Sequence, residues 1–224
     1  MIGRLHVLTD FHFQQRFGHA TLARLAVAGG ADVIQFRQKT GTLRHRWANL
    51  LPTVQAAREG GALVLVDDDL GLALGANADG VHLGQTDLPI SAARRALNLT
   101  ADVLAHGART NGTRSPRWVG ATATTAEQAR KAQDDGADYI GFGPVFATSS
   151  KANPSKVKGV GGLAEAVAAV DIPVIAIAGI TPERVALCLD AGAHGVAVMT
   201  AVSCAEDPQA ATAHFRDEIE RWRP

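Results

Sequence analysis

The segment AGGADVIQF, residues 28–36, contains the pattern that decides the fold. An Ala-rich helical stretch ends at a glycine pair, which supplies the left-handed residue that commonly terminates a helix. The β-branched and aromatic run VIQF follows and is typical of a short strand. The same order of helix, stop and strand returns at ANADG (76–80), DDGAD (134–138) and DAGAHG (190–195). This repetition indicates a chain built from βα units.

Eight strands are predicted when further apolar runs are added to those of the repeats. Short apolar strands that alternate with helices require a parallel sheet buried on both faces. Eight βα units in 224 residues predict a (β/α)8 TIM barrel, a single domain over residues 1–224. A doubly wound open sheet is the alternative, although its glycine fingerprint is missing after the first strand. The predicted strands are LHVLT (5–9), VIQF (33–36), ALVLV (62–66), VHL (81–83), WVGA (118–121), YIGF (139–142), PVIAIA (173–178) and VAVM (196–199).

The second strand carries polar residues on one of its faces. In VIQFRQK (33–39), Gln35, Arg37 and Lys39 occupy every second position, and successive side chains of a strand point to opposite faces. In a barrel these three residues would climb the inner wall toward the C-terminal mouth, where TIM-barrel active sites lie. The residues between them would face the helices. An antiparallel hairpin with one solvated face would give the same alternation and is the alternative.

The bulk composition excludes several classes of protein. Lys+Arg and Asp+Glu both total 22, so no global field attracts nucleic acid or a membrane surface. Cys188 and Cys204 form neither a metal motif nor a disulfide framework, as expected in a reducing cytosol. No long apolar run predicts a signal peptide or a membrane helix. We therefore expect a cytoplasmic protein, and the sequence neither requires nor excludes a homo-oligomer.

Carboxylates follow two neighbouring predicted strands. VDDD (66–69) ends the third strand, and HLGQTD (82–87) follows the fourth, so Asp68 and Asp87 should lie on adjacent loops. Two carboxylates completed by water and ligand phosphates suit Mg²⁺. Asp69 is expected to cap the following helix instead. His82 is expected to pack within its strand.

Two later loops have the composition of a phosphate site. AGITPE (178–183) follows the seventh strand and VMTAVSCAEDP (198–208) follows the eighth, where these barrels often bind phosphate at helix N-termini. Thr181 is also a good N-cap, and ordinary capping would explain it without a ligand. A short turn or helix is expected after the eighth strand.

The loop after the sixth strand, GPVFATSSKANPSKVKG (143–159), is long, polar and basic. Loops of this length in compact barrels are usually lids or disordered. Thr148, Ser150 and Lys151 could donate to phosphate oxygens. With the groups above, the mouth would accept two anions, one of them with a metal, as in transfer from a diphosphate to a phosphate-bearing acceptor.

These motifs resemble those of the thiamine phosphate synthase family over about residues 4–215. The segments that carry the resemblance are QFRQK (35–39), HLGQTD (82–87), GPVFATSSK (143–151) and PVIAIAGITPERV (173–185). The resemblance implies a (β/α)8 barrel that joins a hydroxymethylpyrimidine diphosphate to a hydroxyethylthiazole phosphate with Mg²⁺ and releases diphosphate. Related thiazole tautomerases share the fold and some motifs.

The resemblance also implies roles for individual residues. Gln35, Arg37 and Lys39 match contacts to the pyrimidine diphosphate, and Lys151 matches a lid lysine on the diphosphate; the three cations are the candidate catalytic groups. The two aspartates named above match the Mg²⁺ ligands. Residues that match the binding site of the thiazole phosphate are Thr148, Ser150, Gly179, Met199 and Thr200.

The chain departs from the family pattern at three places. Asp67 replaces the asparagine that usually precedes the first metal aspartate and contacts the diphosphate. Thr122, Ala123 and Thr124 stand where a Ser-Thr-His sequence is common, and Thr122 keeps a substrate-contacting hydroxyl. Ala178 replaces the first glycine of a pair. Thr124 occupies the position of the tautomerase histidine, which disfavours the tautomerase activity. Because Asp67 departs from the family pattern, a non-catalytic protein that binds phosphate ligands is a further alternative.

Overall fold

The computed structural model describes residues 1–105, 118–148 and 156–223, with the backbone alone for residues 99–105. Eight parallel strands form a closed barrel in chain order, and the eighth strand pairs with the first. The predicted (β/α)8 fold is confirmed, and the open doubly wound sheet and the antiparallel hairpin are wrong. The strands are β1 (Leu5–Thr9), β2 (Val33–Phe36), β3 (Leu63–Asp67), β4 (Gly80–Leu83), β5 (Trp118–Ala123), β6 (Tyr139–Phe142), β7 (Val174–Ile177) and β8 (Gly195–Val198).

Helices alternate with the strands and cover the outside of the barrel. Several begin at a Thr or Asp whose side chain accepts a backbone N–H of the first turn, as at Thr42, Asp69, Thr125 and Asp207. None of the helices in the described residues is long and apolar enough to cross a membrane. The helices are α1 (His19–Ala28), α2 (Leu43–Glu59), α3 (Leu70–Gly75), α4 (Ile90–Ala105), α5 (Ala126–Asp134), α6 (Gly159–Ala168), α7 (Val185–Asp190), α8 (Thr200–Ser203) and α9 (Pro208–Arg221), with a 3₁₀ turn at Pro182–Arg184.

The helices that end at the four repeated motifs all end with the same hydrogen-bond geometry. At the first, the Gly30 N–H donates to the Val27 carbonyl at 2.9 Å and the Ala31 N–H to the Ala26 carbonyl at 3.0 Å. This pair of bonds is the Schellman motif, which requires a left-handed residue. The same bonds recur at the other three stops. The left-handed residues are Gly30 (φ 97°), Asn77 (φ 54°), Gly136 (φ 98°) and Gly192 (φ 88°).

The aspartate that follows each of the first three stops ties one βα unit to the preceding one. Asp32 accepts the backbone N–H groups of Arg4 and Leu5, at 2.8 and 2.9 Å. Asp79 accepts the N–H of Val64 in β3, and Asp138 accepts the N–H of Val119 in β5, in the same way. The repeated motif therefore terminates a helix and also satisfies the entry of the neighbouring strand.

The alternation along β2 separates two apolar cores. Ile34 and Phe36 pack in the large cluster between strands and helices, whereas Val33 belongs to the smaller cluster inside the barrel. Gln35 also points inward, where it is 3% exposed. Arg37 lies beyond the end of the strand. The prediction that the strand continues along the inner wall as far as Lys39 is therefore wrong. The inner cluster consists of Ile2, Leu8, Val33, Leu65, Tyr139, Ile175 and Ala197.

Candidate active site

Charged side chains gather at the C-terminal ends of β2, β3 and β4, as predicted. The Arg37 guanidinium forms an ion pair with Asp10, and the Lys39 ammonium forms one with Asp68. Asp10 directly follows β1, is 4% exposed and also accepts the backbone N–H of His12. The sequence analysis missed Asp10, although its position directly after a strand, like that of the VDDD aspartates, is the signal that would have found it.

The two predicted metal ligands lie together. Asp68 has a left-handed backbone (φ 68°), and its N–H donates to the His82 carbonyl at 2.8 Å. The Asp87 carboxyl is in hydrogen-bonding contact with the Asp68 carboxyl and accepts the Gly84 N–H at 2.7 Å. Burial, together with the adjacent charge of Asp68, raises the pKa of Asp87.

A pair of mutually repelling carboxylates fits a divalent cation, which would relieve the repulsion. Within residues 1–105, 118–148 and 156–223, no group of three or more His, Cys, Asp or Glu side chains has metal-binding geometry. The remaining coordination positions of an ion at Asp68 and Asp87 would therefore fall to water and to ligand oxygens.

The other two aspartates of VDDD have separate environments. Asp69 accepts the Leu72 N–H at 2.9 Å and caps α3, which confirms the capping prediction. Asp67 ends β3, and its buried Oδ1 has no hydrogen-bond partner among the described residues. Burial and the charge of Asp68 raise the pKa of the Asp67 carboxyl to about 8, so the group is largely protonated at neutral pH. Among the described side chains Lys39 pairs with Asp68 and not with Asp67.

Beneath the charged groups, three polar contacts occupy the barrel interior. Gln35 Nε2 lies 3.0 Å from Nδ1 of the buried His6 in β1. His82 bridges two strands, with Nδ1 at 2.8 Å from the Tyr139 hydroxyl and Nε2 at 3.0 Å from Thr122 Oγ1. His82 lies within β4, as expected, and its inward position there aims the imidazole at β5 and β6.

The loop after β6 is anchored at its base. The Val145 N–H donates to the Ile177 carbonyl at 3.0 Å, and the Phe146 N–H donates to the Ala178 carbonyl at 3.1 Å. Thr148 is the last described residue before the gap. The lid candidates Ser150 and Lys151 lie outside the described residues.

The predicted phosphate site after β7 and β8 contains close backbone contacts. Ala178 and Gly179 both have left-handed backbones, with φ of 82° and 66°. A Cβ atom on Gly179 would lie 2.4 Å from the Ala147 carbonyl oxygen, so only glycine fits. Met199 directly precedes α8, which begins at Thr200 and confirms the expected short helix. The first backbone N–H groups of any helix have no partner within it.

Two threonines near the mouth have local partners, and one of them, Thr181, differs from its predicted capping role. Thr181 occupies the N-cap position of the 3₁₀ turn, but its side chain accepts no cap hydrogen bond and instead bonds to Glu183. Thr124 donates both its backbone N–H and its hydroxyl to Gln128 Oε1, at 2.8 and 3.0 Å. The residue at the tautomerase histidine position is therefore engaged with α5.

Comparisons with known proteins agree with this geometry. Residues 5–202 match the family model described as thiamine monophosphate synthase. The chain belongs to this family. It is 52% identical to the thiamine-phosphate synthase of Salinibacter ruber, over 98% of this chain and 89% of that protein. It is 39% identical to the thiamine-phosphate synthase of Methanocella arvoryzae, over 98% and 96% of the two chains.

Solved structures show the same relationship. The thiamine phosphate pyrophosphorylase of Pyrococcus furiosus superposes with a TM-score of 0.82 at 34% identity, covering 97% of this chain and 95% of that one. A 3-hexulose-6-phosphate synthase superposes with a TM-score of 0.67 at 18% identity, which shows the fold alone. The family resemblance read from the motifs is thus confirmed.

Proposed function

We propose that this chain is a Mg²⁺-dependent thiamine phosphate synthase, a transferase of thiamine biosynthesis that acts on small phosphorylated substrates. One observation supports the proposal most directly. The carboxylates of Asp68 and Asp87 lie at the same barrel mouth as the cations of Arg37 and Lys39, in a chain of this family. The pyrimidine diphosphate would bind to the cations, and Asp68 and Asp87 would hold Mg²⁺ beside it.

The reaction would replace one bond at the pyrimidine methylene carbon. The C–O bond to diphosphate breaks, its electron pair leaves with the diphosphate, and the thiazole nitrogen forms the new C–N bond. When bound, Mg²⁺ would neutralise part of the charge that develops on the leaving group. Arg37, Lys39 and Lys151 would stabilise the same charge more in the transition state than in the ground state.

The protein would contribute positioning rather than a general base, since the attacking nitrogen carries no proton to remove. Gln35 and Thr122 would contact the pyrimidine substrate. On the other side of the mouth, Gly179, Met199 and Thr200 would hold the phosphate of the thiazole through the backbone. Thr148 and Ser150 would add hydroxyl donors to this phosphate.

The test supplies the purified chain with both substrates and follows thiamine phosphate and diphosphate. We expect turnover with Mg²⁺, its loss in EDTA and its recovery when excess Mg²⁺ is added. Turnover that persists in EDTA would remove the metal from the proposal. A chain that binds thiazole phosphate but never forms thiamine phosphate would instead be the non-catalytic binder.

A further inference from the structure

Tyr139 places a hydroxyl deep inside the barrel. The side chain is completely buried, and its ring occupies the space over Gly120, where a Cβ atom would lie 2.2 Å from Tyr139 Cζ. The only hydrogen bond of this hydroxyl within the described residues joins it to His82 Nδ1, at 2.8 Å. A buried phenol requires an acceptor for its proton, so this contact is a strong constraint.

His82 is held between this hydroxyl and the mouth. Its ring lies over Gly141, where a Cβ atom would come within 2.9 Å of His82 Cε1. It is also tilted against the Tyr139 ring, with centroids 5.4 Å apart. Its second nitrogen, Nε2, lies 3.0 Å from Thr122 Oγ1. The imidazole therefore connects the closed interior of the barrel to a half-buried hydroxyl at the end of β5.

The chemistry of the three groups sets the direction of these hydrogen bonds. The Tyr139 hydroxyl donates to His82 Nδ1, because the described residues offer it no other acceptor. An imidazole that accepts at Nδ1 carries its proton on Nε2 and donates it to Thr122 Oγ1. The Thr122 oxygen is then an acceptor toward His82, and its own proton is left to point at a ligand in the mouth.

We propose that Tyr139 and His82 are positioning residues that fix the Thr122 hydroxyl as a hydrogen-bond donor to the pyrimidine diphosphate. The inference rests on the proposed synthase function. Neither residue touches the substrate in this arrangement. Without the phenolic proton, both tautomers of His82 become accessible, and in one of them Thr122 must donate to Nε2 instead of to the ligand.

The test is a double-mutant cycle between Tyr139→Phe, which keeps the ring over Gly120, and Thr122→Val, which keeps the shape of threonine. Each single change should lower kcat/KM for the pyrimidine diphosphate by roughly threefold to tenfold, the size of one ordinary hydrogen bond. In the Thr122→Val background, Tyr139→Phe should have no further effect. In the Thr122→Ser background, which retains the hydroxyl, its effect should persist. Additive losses would overturn the proposal.

A matched control is available on the same strand end. The Thr124 hydroxyl is engaged by Gln128 and lies outside the chain of hydrogen bonds, so Thr124→Val should leave kcat/KM unchanged. Thermal unfolding of every variant identifies losses caused by instability. A purely structural role of the Tyr139 hydroxyl predicts the same loss in the Thr122→Val background, which contradicts the proposal.

Two readouts do not depend on turnover. ¹⁵N NMR of the imidazole, assigned with a His82→Gln variant, should show the Nε2–H tautomer in the wild type and a mixture in Tyr139→Phe; a wild type with Nδ1–H would overturn the proposal. The same cycle measured on the Kd of inorganic diphosphate with Mg²⁺ separates the two proposals. If the effects of the two changes on the Kd of diphosphate are coupled but no turnover occurs, the synthase function alone is contradicted. If turnover occurs and the two effects are additive, the positioning role alone is contradicted. Absence of both turnover and diphosphate binding overturns both.

Discussion

The two sides of the barrel mouth present different chemical groups to anions. At the ends of β2, β3 and β4, charged side chains face one another, and Arg37 and Lys39 are each paired with a carboxylate. At the ends of β7 and β8, the proposed contacts are Gly179, Met199 and Thr200, which carry no charge. There the backbone has an unusual conformation, because two successive residues are left-handed and pack against the loop after β6.

The difference corresponds to what each side would do under the proposed function. A leaving diphosphate gains charge during the reaction, so charged side chains and a metal lower the barrier. The phosphate of the thiazole keeps its charge throughout, and uniform binding by fixed amides is sufficient for it. Damage to the first side should therefore reduce kcat, whereas damage to the second should raise KM for one substrate.

The largest effect is expected from Asp68→Ala. It removes half of the carboxylate pair and leaves the Lys39 cation without its partner. By analogy with the loss of one transition-state stabilising group, kcat should fall by roughly 10²- to 10³-fold. The adjacent Asp69→Ser is the matched control, because serine still caps α3 and activity should persist. Equal losses in both variants would mean that the acidic run acts through folding, and steady-state kinetics with circular dichroism decides between these outcomes.

On the opposite side, Gly179→Ala should act on binding. An added Cβ meets the Ala147 oxygen at a backbone conformation that costs an L-residue about 1–2 kcal/mol. We expect KM for the thiazole phosphate to rise roughly 10- to 100-fold, with KM for the pyrimidine diphosphate unchanged. Gly61→Ala carries a similar conformational penalty (φ 82°) with open space around the Cβ, and it should spare both KM values. A selective rise in KM for the pyrimidine diphosphate would contradict the assignment.

The buried His6, beneath both sides, should make the stability of the fold depend on pH. Burial lowers the pKa of His6 to about 3, from 6.5 in an exposed state. Below about pH 6.5 the unfolded chain binds a proton that the folded chain does not, so stability falls as the pH drops toward 3. One such histidine contributes about 2 kcal/mol of destabilisation at pH 5, at 1.36 kcal/mol per pH unit.

Urea unfolding at pH 7.5 and pH 5 measures this contribution. His6→Gln should be less stable than the wild type at pH 7.5, because contacts to Gln35 and the Gly3 carbonyl change. It should nevertheless lose less stability between the two pH values. If both proteins show the same loss, His6 is not the group responsible.

The smallest effect is expected at Asp67, where the chain departs from its family. The raised pKa keeps the Asp67 carboxyl largely neutral at pH 7, but the group still ionises beside Asp68 and Asp87 as the pH rises, whereas an asparagine cannot ionise and always supplies an amide N–H to a diphosphate oxygen. Asp67→Asn should lower the Mg²⁺ concentration for the half-maximal rate by roughly twofold to fivefold, within the scale of one hydrogen bond. It should also hold or raise kcat/KM for the pyrimidine diphosphate. Loss of activity would show that the carboxyl group has a positive role.

Local signals in the sequence were sufficient for the barrel. The four stop motifs predicted their helix ends because a left-handed residue is a property of a few neighbouring amino acids, and Gly30, Asn77, Gly136 and Gly192 all have that conformation. The cap at Asp69 was equally local. The placement of the VDDD and HLGQTD carboxylates on adjacent loops followed from the order of parallel strands, which the repeat already implied.

Contacts between distant strands required the fold. Asp10 and Arg37 are 27 positions apart, and His82 and Tyr139 are 57 apart; neither pair has a local signature. The glycines at 120 and 141 look like ordinary strand residues in the sequence, yet they make room for the rings of Tyr139 and His82. Two further features depend on the neighbouring strands and loops of the closed barrel. They are the end of β2 before Arg37 and the buried environment that raises the pKa of Asp67. Side-chain packing and desolvation inside a closed barrel are properties of all eight strands together, whereas helix ends and caps belong to a few consecutive residues.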